Sequence, residues 1–281
     1  MEYARDLGPW IQAQQAKGSN FTQTVVTLAL QFGYAVPVAQ RIVEAVLDHE
    51  GNSGRLVDES CGPAIDTASE STHLDLGDIH AQLVFEQLAP RIVLLDHFMT
   101  DAECAAICEL AAPMMRDAVI AHGAGGTLRS DRAVRDADSA VLLKGSSPIV
   151  NQIDKRISML TGWPVSHGEH LQVQRYRPDG RYAPHYDFFE ANAERALRAG
   201  GQRVATLIVY LRSPDAGGAT YLANLGMRIK PRRGSALFFT YPEADPQSGT
   251  LHAGDTVQHG EKWILTKWLR ERAVESSGLN I

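Results

Sequence analysis

The chain is poor in cysteine and in long apolar runs, and each shortage removes a class of protein. Three cysteines among 281 residues cannot build a disulfide framework. Cys104 and Cys108 lie four apart in "DAECAAICEL", a helical spacing that puts both thiols on one face, where they read as small core residues. No stretch approaches the roughly 18 apolar residues of a membrane span, so no membrane partner is expected. The start, "MEYARDLGPW", lacks the basic-then-apolar order of a secretory signal, which makes a cytoplasmic location the expectation. The formal charge is −6, with no basic block, and this argues against a nucleic-acid partner. No internal repeat or low-complexity tract is present. What remains is an ordinary globular composition, 44% hydrophobic and 21% charged, long enough for one large domain or a domain with a small appendage.

The first fifty residues read as helices. "FTQTVVTLALQF" follows Ser19 and Asn20, good N-cap residues, and breaks at Gly33. "PVAQRIVEAVLDH" opens on Pro37, a favoured first helical residue, with Val38, Ile42, Val43 and Val46 on one stripe. Residues 50–78 are rich in Gly, Ser, Asp and Thr, lack periodicity, and read as a linker or surface loop. Two β-like runs follow, "AQLVFEQL" and "RIVLLDHF". Then comes a helix capped by Thr100 with Glu103 completing a capping box, and a second helix in "SPIVNQIDKRISMLTG" ending at Gly162. From Glu169 the texture is strands between turns, the turn signals being "RPDG", "SPDAGG" and "PRRG". Helices followed by many short strands predict an α+β chain, a β-sandwich or barrel buttressed by helices.

One stretch carries chemistry. In "RYAPHYDFF", His185 and Asp187 are two apart, so an extended backbone points both to one face, amid Tyr182, Tyr186, Phe188 and Phe189. An imidazole and a carboxylate in apolar surroundings need a partner, each other or a cation. His49, His73, His80 and His122 fall in helical, linker or loop segments, and His97 reads as structural. "HGEH" at 167–170 lacks the spacing of a zinc protease motif. His252, in "GTLHAGD", lies in a β-rich stretch flanked by small residues and is the better third ligand. Two histidines and one carboxylate form the facial set of non-haem Fe(II) oxygenases, whereas catalytic zinc usually leaves one open position. A buried His–Asp hydrogen bond with an unrelated His252 satisfies the same spacing.

Alternation along "KWILTKWLRE" puts Lys262 on one face with Ile264, Thr266 and Trp268. A lysine turned into a β core is costly unless an anion meets it, and a dicarboxylate bound near the metal would be that anion. Tyr176, which shares a strand face with Gln172 and Gln174, could add a hydroxyl donor.

The pieces "LQVQRYRPDGRYAPHYDFF", "GGQRVATLIVYL", "GGATY", "KPRRGSALFF" and "LHAGDTVQHGEKWILTKWLRE" together resemble the catalytic core of the 2-oxoglutarate- and Fe(II)-dependent oxygenases, in the bacterial-type prolyl 4-hydroxylase branch. The combination of H-x-D, "HAG" and a lysine ten residues past the second histidine is the specific part, and weaker likeness reaches back to about residue 85. The resemblance implies a double-stranded β-helix core (jelly-roll, cupin-like) with buttressing helices. It implies a helical N-terminal region over 1–50, a linker over 51–78 and a dioxygenase domain over 79–281. His185, Asp187 and His252 would hold Fe(II), and Lys262, Tyr176 and Thr220 would bind 2-oxoglutarate. Tyr182, Arg203 and Trp268 would face a peptide or protein substrate, with O2 consumed and ascorbate as an accessory reductant. The implied reaction is prolyl hydroxylation, the alternative being hydroxylation of a free amino acid or small metabolite. A homodimer is a further expectation. The N-terminal helices are similar to small ubiquitin-associated-type binding domains, so a partner there is another.

The chain departs from the family at the turn "GGAT", at "LFFTY" and at Asp255 in "HAGD". None of these is a ligand position. "EANAERALRAGG" would lie over the groove as a mobile lid.

Overall fold

The structure, a computed structural model, describes residues 7, 10–14, 16–32, 39, 43, 62–67, 71–122, 127–241 and 243–274. The second N-terminal helix expected from Pro37 falls outside these residues, apart from Ala39 and Val43, which are helical and buried. His49, Cys61 and residues 51–61 also lie outside them.

Helix α1 is Phe21–Phe32. Strands β1 (His73–Asp75), β2 (His80–Gln87) and β3 (Ile92–Asp96) lead into helix α2 (Asp101–Ala111). The α2 N-terminus is the expected capping box: Thr100 accepts from the Glu103 N–H, and Glu103 accepts from the Thr100 N–H. Then come β4 (Arg116–Asp117), β5 (Val119–His122), β6 (Thr127–Ser130) and β7 (Asp138–Leu142), ahead of helix α3 (Pro148–Thr161). Ser147 caps α3 at its start, and Gly162 ends it at φ 63°, a left-handed turn that glycine takes without strain. The remaining strands are β8 (Leu171–Tyr176), β9 (Tyr182–His185), β10 (Arg203–Arg212), β11 (Ala216–Gly217), β12 (Thr220–Leu222), β13 (Met227–Ile229), β14 (Ala236–Thr240), β15 (His252–Gly254), β16 (Val257–His259) and β17 (Lys262–Arg270), with a short helix α4 (Glu194–Arg198) after β9.

The strands form two main antiparallel sheets. The larger has the order β1-β2-β3-β14-β10-β17-β8-β7-β4, and the smaller β13-β12-β15-β9. Alternation sorts the side chains of the large sheet. Ala205, Leu207, Val209 and Leu211 of β10, with Trp263, Leu265 and Leu269 of β17, pack against α2 and α3 through Cys104, Ile107, Cys108, Val150, Ile153 and Ile157. Ile208, Tyr210 and Ile264 point the other way, to Leu222 and Ile229 of the small sheet. The result is helices, large sheet, small sheet, the layering of a double-stranded β-helix with buttressing helices. Cys104 and Cys108 are buried free thiols of the helical layer.

The segment expected to be a linker already joins the core before residue 79. β1 pairs with β2, Ile65 and Leu76 enter the main cluster, and the Ala64 N–H donates to the Thr161 carbonyl. Three residues of strand are too few to leave a periodic signal, which is why composition alone reads them as loop. The N-terminal helices have a small core of their own, formed by Leu7, Ile11, Val25, Leu28, Ala39 and Val43.

Candidate metal centre

Strand pairing brings together residues far apart in the chain. His252 on β15 lies directly opposite His185 on β9, and Lys262 on β17 lies opposite Tyr176 on β8. β9 ends at His185, so Asp187 sits in the bend beyond the strand rather than on it, two residues after the last strand contact. The imidazole, carboxylate and imidazole atoms of His185, Asp187 and His252 all lie within 4.8 Å of one another. His185 Nε2 is 3.6 Å from Asp187 Oδ1, and His252 Nε2 is 3.6 Å from Asp187 Oδ2.

The hydrogen bonds behind these groups settle their protons. His185 Nδ1 is 2.9 Å from the Ala183 carbonyl, and His252 Nδ1 is 2.9 Å from the Thr250 carbonyl. A carbonyl only accepts, so each Nδ1 carries a proton and each Nε2 is left facing the carboxylate, with a lone pair to give a metal whenever the ring is neutral. Burial pushes His252 down to about 4 and keeps it neutral. Burial alone would favour a protonated Asp187, but the positive charge that the imidazoles can take up and the Arg203 guanidinium outweigh it and hold the carboxyl well below the usual carboxylate range. Two Nε2 atoms and a carboxylate therefore converge on one point, and with both rings neutral no proton lies between them. That arrangement repels itself unless a cation fills it, and two imidazoles with one carboxylate suit a divalent transition metal. The residues present fit Fe(II).

The same cavity is lined by Arg135, Gln174, Tyr176, Tyr182, Ile208, Thr220, Ile264, Thr266, Trp268 and Lys262. Lys262 is 2% exposed, and among the described residues no carboxylate pairs with its Nζ. It has only the rings of Tyr176 and Tyr210 at 5.3 and 5.9 Å. Burial pushes it down to about 8. The double glycine before Thr220 makes room for it: Gly217 and Gly218 have φ of 78° and 69°, and a Cβ on Gly218 would lie 3.3 Å from Lys262 Cδ. A buried ammonium without a counter-charge fits the far carboxylate of 2-oxoglutarate. Thr220 and Tyr176 lie on the walls of the same space.

Of the residues expected to face substrate, Tyr182 stacks on the His185 ring at 3.6 Å, and burial raises its phenol to about 12. Trp268 lines the cavity with its Nε1 buried and unpartnered among the described residues. Arg203 is not on the cavity wall. Its Nε and Nη2 donate to the two oxygens of Glu169 at 2.7 and 2.8 Å, and it lies flat on Trp268 at 3.8 Å. Of the aromatic wall, Phe188 packs toward Tyr241, Tyr186 stacks on Phe188, and Phe189 turns away to Arg203 and Arg270.

Three side chains of the site escape sequence reasoning. Arg135 is buried in the cavity wall, with its guanidinium 4.8 Å from the Tyr182 ring and its Nε unpartnered among the described residues. Glu169 belongs to the "HGEH" cluster and is spent on Arg203 and Arg270. Thr206 donates to Asp187 Oδ2 at 2.7 Å. Alternation in "RVATLIVYL" could have found Thr206, since it shares a face with Ile208 and Tyr210; nothing local marks Arg135.

Comparisons with known proteins agree with this geometry. The sequence profile described as the 2OG-Fe(II) oxygenase superfamily matches residues 171–270. A probable prolyl 4-hydroxylase 10 of Arabidopsis thaliana is 36% identical over 202 residues, 64% of this chain and 69% of that protein. Prolyl 4-hydroxylase 1 of the same plant is 33% identical over 216 residues, 71% of this chain and 75% of that one. Among solved structures, the 2OG complex of a viral collagen prolyl hydroxylase from Paramecium bursaria Chlorella virus-1 aligns at 30% identity with a TM-score of 0.50, covering 64% of this chain and 95% of that one.

Proposed function

The chain belongs to the 2OG-Fe(II) oxygenase superfamily, with prolyl 4-hydroxylases as its relatives, and from that premise we propose that it hydroxylates prolyl residues of a peptide or protein. One observation carries the enzyme reading. Three convergent ligand atoms and an unpaired buried ammonium face one cavity, ready for a metal and a dicarboxylate.

When bound, Fe(II) with 2-oxoglutarate and O2 supplies an oxidation in which decarboxylation to succinate is coupled to hydroxylation of a C–H bond. The chain contributes position, charge and shielding. His185, Asp187 and His252 would hold the metal, each fixed from behind by a hydrogen bond to Ala183, Thr206 or Thr250. Lys262, Tyr176 and Thr220 would take the far carboxylate, while Ile208 and Ile264 give the space between an apolar wall. Tyr182, Trp268 and the buried rings behind them limit water around the reacting groups. Tyr182 and Trp268 form the wall that a substrate meets. Arg203 would act by holding Trp268 in place rather than by touching substrate, because its Nε and Nη2 are taken by Glu169 and its Nη1 by the Asp187 carbonyl.

A second reading has one observation in its favour. Arg135 is a buried cation with a free Nε beside the metal site and no acid of its own among the described residues. It would suit a substrate carboxylate, as on a free amino acid or other small metabolite.

The test is succinate formation from 2-oxoglutarate by anaerobically purified protein given Fe(II) and O2. It is run with proline-containing peptides, with a panel of free amino and organic acids, and beside a His185→Ala control. Succinate that rises with a peptide, with a one-oxygen mass gain on a prolyl residue, supports the lead reading. Stimulation only by small acids supports the second.

A further inference from the structure

Two buried tyrosines stand behind the site, neither of them on the cavity wall, and each ends on a threonine hydroxyl. Tyr241 Oη is 2.8 Å from Thr206 Oγ1, which is 2.7 Å from Asp187 Oδ2. Tyr210 Oη is 2.8 Å from Thr220 Oγ1, and Thr220 lines the cavity with Lys262. All four side chains are buried.

Counting protons fixes the direction of both chains. Thr206 donates to Asp187 Oδ2, and a threonine has one proton to give. The Thr206 proton therefore goes to Oδ2, and Tyr241 must be the donor to Thr206. The result is a one-way series, Tyr241 to Thr206 to Asp187, in which each bond polarises the next. It occupies Oδ2, while Oδ1 faces His185 Nε2 at 3.6 Å. At Thr220 the Tyr210 proton takes up a lone pair, so the threonine's own proton must point elsewhere. Among the described residues it has no other acceptor, which leaves it free for a ligand in the cavity. Burial raises both phenols above their ordinary value, so both remain donors at neutral pH. A phenylalanine would fill nearly the same volume at either position; what the hydroxyl adds is the direction of a proton.

We propose that Tyr241 and Tyr210 are positioning residues with separate tasks: Tyr241, through Thr206, fixes the Asp187 carboxylate for the metal, and Tyr210, through Thr220, directs a proton at the far carboxylate of 2-oxoglutarate. The proposal rests on the oxygenase reading above.

The two tasks make a crossed test on the full chain, with Tyr241→Phe and Tyr210→Phe, Mn(II) as the metal probe and calorimetry as the readout. Tyr241→Phe weakens Mn(II) binding by about tenfold and leaves 2-oxoglutarate binding to the metal-saturated protein within about twofold. Tyr210→Phe leaves Mn(II) binding unchanged and weakens 2-oxoglutarate by about three- to tenfold, the worth of one hydrogen bond. Melting curves confirm that both variants fold. Equal losses of both affinities in both variants, or no loss in either, overturn the proposal, since loosened packing would not discriminate between ligands. Wild-type protein that binds neither Mn(II) nor 2-oxoglutarate overturns the oxygenase reading itself, and the proposal with it.

Discussion

Lys262 and Lys267 stand five residues apart on one strand, equally buried, with opposite solutions to the same problem. Lys267 meets Asp154 at 2.5 Å, and both are 2% exposed. Lys262 meets no anion among the described residues, and burial brings it to about 8. The pair yields two predictions. Replacing Lys267 by Met leaves a buried, unpaired Asp154 and costs about 3–5 kcal/mol, seen as a lower midpoint in urea with 2-oxoglutarate affinity little changed. Replacing Lys262 by Met removes a cation that has no partner, so stability holds or rises, while 2-oxoglutarate binding weakens by about 10- to 100-fold. The pH dependence follows from the same group. Lys262 is charged below about 8, so 2-oxoglutarate affinity is level there and falls above it, approaching about tenfold per pH unit. Calorimetric titrations from pH 6.5 to 9.5 check the break, and a flat profile through this range would refute the assignment of Lys262.

Between β9 and β10 the chain makes an element that composition describes poorly. Rich in Ala, Glu and Arg, it suggests a mobile lid, but the structure ties it down. Arg270, fully buried, donates to the carbonyls of Ala196 and Gly201 and to Glu169. Gln202 and Phe189 exchange two hydrogen bonds, and the Phe189 ring centroid lies 4.5 and 4.7 Å from the Arg203 and Arg270 guanidinium groups. Glu169 takes both arginines, so the strap and the Arg203–Trp268 stack share one carboxylate. Burial opposes the Glu169 charge, but the two guanidinium groups hold its carboxyl below the ordinary value. Replacing Arg270 by Met removes the clamp and should speed tryptic cleavage at Arg195 and Arg198 by about tenfold at a concentration where wild type is slow to cut. An unchanged cleavage rate would mean that the strap holds itself without Arg270.

At the scale of the whole molecule, the described hydrophobic clusters fall into a barrel part and an N-terminal part. The barrel clusters begin at Ile65, and the N-terminal cluster involves nothing beyond Val43. Every ligand position and every cavity-lining residue lies at or after Arg135. Removing residues 1–61 is therefore expected to leave 2-oxoglutarate turnover within about twofold of the full chain. A loss of folding or turnover would show that the N-terminal helices support the barrel.

What the sequence determined by itself is whatever depends on neighbours along the chain. Helix ends at Thr100, Ser147 and Gly162 follow from caps, and the two faces of β10 and β17 follow from alternation, because both are set by backbone geometry over a few residues. The H-x-D pair is legible as a spacing, although Asp187 lies in the bend beyond β9 rather than on an extended strand; comparison of the histidines reached His252, alternation reached Lys262, and the resemblance added Thr220. The tertiary structure decided the rest. Only strand pairing sets His252 across from His185. Only the packed layers show Lys262 without an anion and Lys267 with one. The roles of Arg135, Glu169, Arg203 and Arg270 could not be read from their positions, because a long charged side chain is placed by the partner it reaches, and that partner lies tens of residues away. The direction of the Tyr241–Thr206–Asp187 protons is likewise absent from the sequence: it exists only when three buried polar groups from separate elements must satisfy one another.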